Sequence, residues 1–276
     1  MSSELITVVT VSYNEGDNLL KTMESVMSQT YRPLEYIVID GGSTDGSYER
    51  AMSAMVPKAE EAGIMLKGVS EPDKGIYDGM NKGAAMATGK YVNFMNAGDR
   101  FYDDDTIRRF FSHEAVEGAA IIYGDYLRQK DYAALSCMGE PPEVIGRRMP
   151  TSHQAIFINT MFMKKYPYDT AYKIAADFDF VHKMYKMGEK ICHIPDFVAV
   201  CEAVQGLSSR HRVMMHKECD RIVGIPLTPG RRMKYALKSM EHNIIGTFNA
   251  LLPRKLLNKM KKMNRRRLEN RRKSKA

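Results

Sequence analysis

The chain has 276 residues, 44% hydrophobic and 27% charged, with a formal net charge of +8; this suits one large domain or two small ones and excludes a wholly disordered protein. The charge is uneven: Arg231–Ala276 carries 16 Lys and Arg against Glu241 and Glu269, a net +14, which leaves Met1–Gly230 at −6. No run approaches the roughly 18–20 apolar residues of a membrane helix, and the opening MSSELITVVTVSYNEG lacks the basic start expected of a signal peptide.

Leu5–Thr10 (LITVVT) is short, apolar and β-branched, and predicts a buried strand. Leu19, Leu20, Met23, Val26 and Met27 then recur on one face of a helix. Tyr36–Ile39 predicts a second strand running into Asp40 and the loop GGSTDGS. Strand, helix, strand at this spacing is a βαβ unit with a parallel pair and a right-handed crossover. Ile64–Ser70 is the third expected strand, Gly79–Thr88 a helix, Tyr91–Met95 the fourth strand and Ala120–Tyr126 a further one. Periodicity weakens after that, around Pro141, Pro142 and Pro150. Ala175–Met187 predicts a helix with Asp177 and Asp179 in its first turn, where the helix dipole favours negative charge. Cys137, Cys192, Cys201 and Cys219 make no CxxC pair; neither a zinc site, a redox motif nor a disulfide scaffold is expected, and a reducing cytosol is the expected compartment.

Ligands of open α/β sheets bind beyond the carboxyl ends of the strands. Polar groups fall at those ends here: Asn14 and Glu15 after the first strand, Asp40 after the second, Glu71 and Asp73 after the third, Asn96 and Asp99 after the fourth. They are expected to converge on one rim, with Asp40, Asp99 and Asp177 sharing a cleft. No GxGxxG follows a strand, and Gly83 to Gly89-Lys90 is spaced wrongly for a P-loop, with Tyr91 where the magnesium-binding hydroxyl would stand. A bound diphosphate would need another counter-charge, such as a divalent cation held by acids.

The segments VVTVSYNEGDNL, IVIDGGSTDGS, EPDKGIYDGMNKGAAMATGKYVNFMNAGD and AADFD, in this order over about Ile6–Ser209, resemble a family 2 glycosyltransferase of bacterial polysaccharide type. The resemblance implies the GT-A nucleotide-diphospho-sugar transferase fold: α/β, a Rossmann-like, mainly parallel sheet flanked by helices, here with a helical basic C-terminal tail. It implies a catalytic domain over 1–212, with a nucleotide-sugar-binding half (1–100) and an acceptor half (101–212), followed by the tail 213–276. It implies inverting transfer of a sugar from a nucleotide-diphosphate donor, UDP-linked, to an acceptor hydroxyl in cell-surface polysaccharide or lipid-linked glycan synthesis.

The implied roles follow the motifs. Tyr13 would stack on the nucleotide base, which is worth about 1–3 kcal/mol in nucleic-acid systems; a strand-end tyrosine covering the core edge is the plain alternative. Asp40 would accept the uracil N–H, although Asp before Gly-Gly is also a turn former. Gly41 stands where many relatives carry a second acid. Asp99, in the degenerate motif Asn96-Ala97-Gly98-Asp99, would hold Mn2+ or Mg2+ together with the donor diphosphate. Asp103, Asp104 and Asp105 are instead expected to cap a helix. Asp177 would be the catalytic base, taking the acceptor's proton, with Asp179 as second choice. Glu15, Asp73, Asn81 and Asn96 would line the nucleotide-sugar pocket, with Glu71 nearby. His153 and His211 are candidates for the acceptor and metal sides.

Beyond Pro229 apolar positions repeat with helical spacing among many bases, through Ile244, Ile245, Phe248, Leu251 and Leu252 and again from Leu256 to Met263. An apolar face beside a cationic one describes a helix lying in a membrane interface. The tail therefore predicts contact with an anionic membrane surface, peripheral on the inner face of the plasma membrane. Nucleic acid is the minor alternative, since no recognised binding motif is present. No QxxRW-like segment accompanies the motifs, so processive synthesis is not expected. Two rival functions have weaker support. A sugar-phosphate nucleotidyltransferase needs a Gly-rich basic loop that VSYNEGDN does not supply, and a non-catalytic adaptor would leave the strand-end acids idle.

Overall fold

The computed structural model describes residues 4–130, 133–202 and 211–251, with the backbone alone for 130, 133 and 241–251. It divides into two compact units, Met1–Ile225 and Pro226–Ala276. The expected amphipathic stretch beyond Pro253 lies outside the described residues.

The first unit is built on one mixed sheet, with strand order β3-β2-β1-β4-β8-β6-β9-β5 and β7 paired to β6 among the described residues. Its first half is the expected parallel sheet: β1 (Ile6–Ser12) lies between β2 (Leu34–Asp40) and β4 (Tyr91–Phe94), and β3 (Ile64–Ser70) forms the edge. All seven residues of β1 and of β2 are buried, as parallel strands covered on both faces require. Side-chain alternation splits them between two cores. Ile6 and Val8 face α1 (Asp17–Met27) and α2 (Ser47–Ala62), while Val9 and Val11 face α3 (Ile76–Met86). Gly83 explains how closely α3 lies on the sheet: a Cβ there would stand 2.4 Å from Val9 Cγ1.

Past β4 the parallel order ends. β8 (Ile156–Asn159) runs antiparallel to β4, and β6 (Ile121–Lys130) antiparallel to β8. β9 (Ile191–Glu202) pairs parallel with β6 and antiparallel with the short β5 (Arg100–Phe101), and β7 (Ala133–Cys137) completes a hairpin with β6. The β6–β9 register breaks between Tyr123 and Asp125, opposite Pro195, which has no N–H for the ladder. Helices α4 (Thr106–Phe111), α5 (Thr160–Lys165), α6 (Ala176–Lys186) and α7 (Arg212–Ile222) complete the unit. α7 packs on α6 within the first unit. The second unit contains α8 (Pro229–Leu251).

Glu35 fastens the end of the sheet away from the strand carboxyl termini. Its buried carboxylate accepts from Thr7 Oγ1 (2.6 Å), Lys67 Nζ (2.7 Å), Thr88 N (2.7 Å) and Thr88 Oγ1 (2.9 Å). Burial alone would raise its pKa, but these hydrogen bonds outweigh it and hold the group below the usual range. A depressed pKa stabilises the fold at pH above the unfolded value, about 4.3, and that contribution is lost as pH falls through the folded value. Replacing Glu35 by Gln should cost about 1–3 kcal/mol at neutral pH. In urea unfolding series the gap between wild type and Glu35→Gln should narrow as the pH falls below about 4; a gap independent of pH would contradict the assignment.

Candidate functional site

The loops after β1 and β2 are laced together. Asn14 N–H donates to Ser43 Oγ (2.8 Å), Thr44 N–H donates to Asn14 Oδ1 (2.9 Å), and Gly16 N–H donates to Asp45 Oδ2 (3.1 Å). Asn14 has φ +52°, a left-handed conformation that Asn tolerates better than most residues. The strand ends thereby open onto a cleft of about 1050 Å3, whose wall includes Tyr13, Glu15, Asp73, Asn96, Asp99, His153 and Asp177. Asp99 and Asp177 share this cleft as expected. Asp40 does not reach it.

Asp40 is fully buried at the end of β2, behind the wall. Oδ2 accepts from Gly42 N (3.2 Å), Ser43 N (2.8 Å) and Ser70 Oγ (2.7 Å), and Oδ1 from Ser43 Oγ (2.5 Å). A carboxylate so engaged shapes its own loop. The acid beside that loop in the cleft is Asp73. Its Oδ2 lies 2.8 Å from where a Cβ on Gly41 would be, a position itself 3.4 Å from the Tyr13 ring. The absence of a side chain at Gly41 is what lets Asp73 and the 61% exposed Tyr13 stand together. Asn81 also lies outside the wall: it donates to Tyr168 O and accepts from Tyr168 N, both at 2.9 Å, pinning α3 to the chain before α6. Glu71 pairs with Lys82 at 2.9 Å, and Asp179 faces Lys183 at 3.7 Å. His211 is the exposed N-cap of α7. Asp103, rather than Asp105, organises the start of α4: it accepts from Thr106 Oγ1 and Asp105 N and pairs with Arg109.

Asp99 is 8% exposed. Oδ2 accepts from Gln154 Nε2 (2.5 Å) and Oδ1 from Glu202 N–H (3.0 Å). Burial raises its pKa, against the pull of those two donors. Thr22 of α1 holds the turn that carries it, donating to Asp99 O (2.6 Å) and accepting from Gly98 N (2.9 Å). Among the described residues no group of three or more His, Cys, Asp or Glu side chains is placed to hold an ion. In the cleft wall Asp99 supplies one carboxylate, and Asn96 Oδ1 is buried without a partner. Hard oxygen donors in that number suit a magnesium or manganese ion whose remaining positions are filled by substrate phosphates.

Asp177 stands in the first turn of α6. Tyr77 donates its hydroxyl to Oδ1 at 3.1 Å, and Phe178 N–H donates to the same oxygen at 2.9 Å. Burial first, and then the Asp177 charge, push the Tyr77 phenol well above its ordinary pKa, so it remains a donor. The start of α6 is held from below by Glu218 of α7, whose carboxylate accepts the N–H groups of Lys173 (2.8 Å), Ile174 (2.9 Å) and Ala175 (2.9 Å). Sequence reasoning missed this anchor, because nothing in the local pattern of α7 shows that its acid meets a turn more than forty residues earlier. Gln154 was noted in the sequence only beside His153, and its bond to Asp99 was not foreseen.

The fold and this cleft define a nucleotide-diphospho-sugar transferase scaffold of the GT-A type. The sequence pattern described as Glycosyl transferase family 2 matches residues 7–167. A PGL/p-HBAD biosynthesis glycosyltransferase of Mycobacterium bovis is 29% identical over 182 residues, covering 65% of this chain and 69% of that protein. WfaP of Escherichia coli, a UDP-Glc:alpha-D-GlcNAc-diphosphoundecaprenol beta-1,3-glucosyltransferase, is 27% identical over 142 residues, 51% of this chain and 53% of that one. Residues 1–349 of S. aureus TarS, solved in complex with UDP, superpose with a TM-score of 0.60 at 16% identity; the match covers 80% of this chain and 64% of TarS 1–349. The chain belongs to glycosyl transferase family 2.

Replacing Glu218 by Ala should remove the charged acceptor from three amides and cost about 1–3 kcal/mol of stability. Glu218→Gln, which keeps one acceptor oxygen, should lose less. Thermal unfolding of both variants checks this, and unchanged midpoints would show that α7 does not hold α6.

Proposed function

We propose that the protein transfers a sugar, with inversion, from a UDP-linked donor to an acceptor hydroxyl on a lipid-linked or cell-surface glycan. The observation that carries this reading is the meeting of Asp99 and Asp177 in the wall of one cleft in a family 2 glycosyltransferase. The UDP in the TarS complex and the UDP-glucose and lipid-diphosphate acceptor named for WfaP support the choice of donor and acceptor.

In this reading Tyr13 packs on the nucleotide base and Asp73 accepts from its edge, over a floor shaped by Asp40. Asn96 and Glu15 meet the sugar and phosphates. Asp99 and Asn96 Oδ1 are the groups that would hold Mn2+ or Mg2+, which would supply positive charge to offset that of the departing diphosphate. Asp177 accepts the acceptor's hydroxyl proton as that oxygen bonds to the anomeric carbon and the carbon–phosphate oxygen bond breaks. Tyr77 and Phe178 N–H fix one carboxylate oxygen and leave the other to work.

The second unit supports a membrane role. Met233, Leu237 and Met240 of α8 are 64%, 59% and 59% exposed, at helical spacing on one face and flanked by Arg232, Lys234 and Lys238. The described helices include none long and apolar enough to cross a membrane. We assign this stripe to the interface of an anionic leaflet, where each neighbouring base adds about 1 kcal/mol. The expected setting is peripheral, at the inner face of the plasma membrane.

Calorimetry and turnover test the chemistry together. Asp177→Asn should abolish transfer and spare UDP affinity, whereas Asp99→Ala should weaken UDP binding more in the presence of Mn2+ than in its absence. Transfer by Asp177→Asn near the wild-type rate would refute the base assignment. Vesicle flotation tests the tail: wild type should rise with anionic liposomes at physiological salt, and a variant with Ser at positions 233, 237 and 240 should not. A wild-type protein that stays at the bottom removes the membrane claim.

A further inference from the structure

Asp177 has one oxygen fixed by Tyr77 and by Phe178 N–H; its other oxygen, Oδ2, faces His153 Nδ1 at 3.4 Å. That separation is longer than an ordinary hydrogen bond and is of the kind that tightens when substrates bind. The far ring nitrogen of His153, Nε2, lies 3.0 Å from Asn96 Nδ2. Asn96 stands on the opposite side of the reaction, in the motif after β4, and its own Oδ1 is buried without a partner. A chain of three side chains thus runs from the donor side of the cleft to the carboxylate on the acceptor side.

The chemistry of that chain has a direction. An amide nitrogen only donates, so Nε2 is the acceptor and the proton of a neutral ring sits on Nδ1, aimed at Asp177. With the Asn96 amide turned over, Oδ1 would require the proton on Nε2. The Nδ1 lone pair would then confront the carboxylate, two acceptors facing each other. The orientation of Asn96 therefore decides whether His153 holds Asp177 or repels it. The group that decides Asn96 is whatever engages its orphaned Oδ1, since a cation or a donor hydroxyl there leaves Nδ2 for the ring.

We propose that His153 is a positioning residue, and that the Asn96–His153 pair couples occupation of the donor side to the orientation of the Asp177 carboxylate. A group landing on Asn96 Oδ1 selects the Nδ1–H tautomer, and that tautomer steadies the base. The inference rests on the reading of Asp177 as the base, and it adds an order: the donor side is engaged first and the base is set second. His153 gains and loses no proton in this scheme. Gln154, the next residue, holds Asp99 at 2.5 Å, so one short turn (His153–Ala155) serves both ends of the reaction.

The test uses the intact chain with UDP and Mg2+. In 15N spectra of histidine-labelled protein, UDP with Mg2+ should drive His153 to a single Nδ1–H tautomer. In Asn96→Asp, whose carboxylate only accepts, the proton should stay on Nε2 with or without UDP and Mg2+. A His153 ring that ignores UDP and Mg2+ in the wild type overturns the coupling, and this measurement needs no variant to fold. In turnover, His153→Ala should lower kcat by about 10–100-fold, as loss of outer-shell support does at comparable sites, with donor KM changed little. His153→Asn places a donor near the Nδ1 position and should recover much of the loss; His153→Gln, which mimics Nε2, should not. Equal recovery by both, or an unaltered kcat in His153→Ala, overturns the positioning role. Asp177→Asn separates the two layers. If it still transfers sugar while the tautomer responds to UDP, the base reading fails and the Asn96–His153 link stands. If it is inactive and the wild-type tautomer does not respond, the link alone fails.

Discussion

One buried carboxylate joins the two halves of the sheet. Asp99 follows the last strand of the parallel half, and its two oxygens are taken by Gln154, just before β8, and by the N–H of Glu202 at the end of β9. Thr22 adds α1 to the same knot. A carboxylate brought this far out of water without partners would cost several kcal/mol. The two donors offset that cost and, in doing so, fix where the end of β4 stands relative to the mixed half. The cleft depends on this joint, because its donor wall comes from the parallel strands and much of the opposite wall from the elements that Asp99 holds.

The acids of the molecule divide accordingly. Glu35, Asp40 and Glu218 each collect three or four donors, Glu35 and Glu218 from distant segments and Asp40 mostly from its own loop, and all three serve the frame. Asp73 and Asp177 stand in the cleft, with fewer hydrogen bonds and oxygens still open to a ligand. Buried polar atoms in proteins are nearly always satisfied, so the exceptions carry information. Two of them here, Ser12 Oγ and Asn96 Oδ1, belong to residues lining the cleft.

The parallel half was legible because its physics is local. β-branched runs bounded by turns marked β1 to β4 to within two residues at each end, and the spacing of Leu19, Met23, Val26 and Met27 marked the buried face of α1. α2 did not announce itself: it carries Pro57 and three Glu on a half-exposed surface. β8 is only four residues long, and β9 contains Pro195 at its bulge, which hides the strand pattern. In the site, Glu15, Asp73, Asn96 and Asp99 were placed together by the rule that ligands gather at strand ends, while Tyr13 and Asp177 were legible only through the family resemblance. That rule fixes the end of a strand and not the direction of a side chain. Asp40 fits it by position and Asn81 was named from the family motif, yet they turn to Ser43 and Tyr168, which a linear pattern cannot show.

The charge of the cleft shows why specificity lies beyond the motifs. The donor side presents Glu15, Asp73 and Asp99, while Arg128 of β6, Lys173 before α6 and Arg212 at the start of α7 line other parts of the same wall. Arg128 reaches only the hydroxyl of Tyr126 and the face of that ring, and Lys173 Nζ donates to a backbone carbonyl, Thr170 O. An anionic ligand here meets acids on one side and side-chain cations on the other. Coulombic attraction of this kind is weak in water and strong once a substrate displaces it. The acids are grouped by strand topology, and the fold dictates them. The cations come from three segments far apart in the chain that share no pattern.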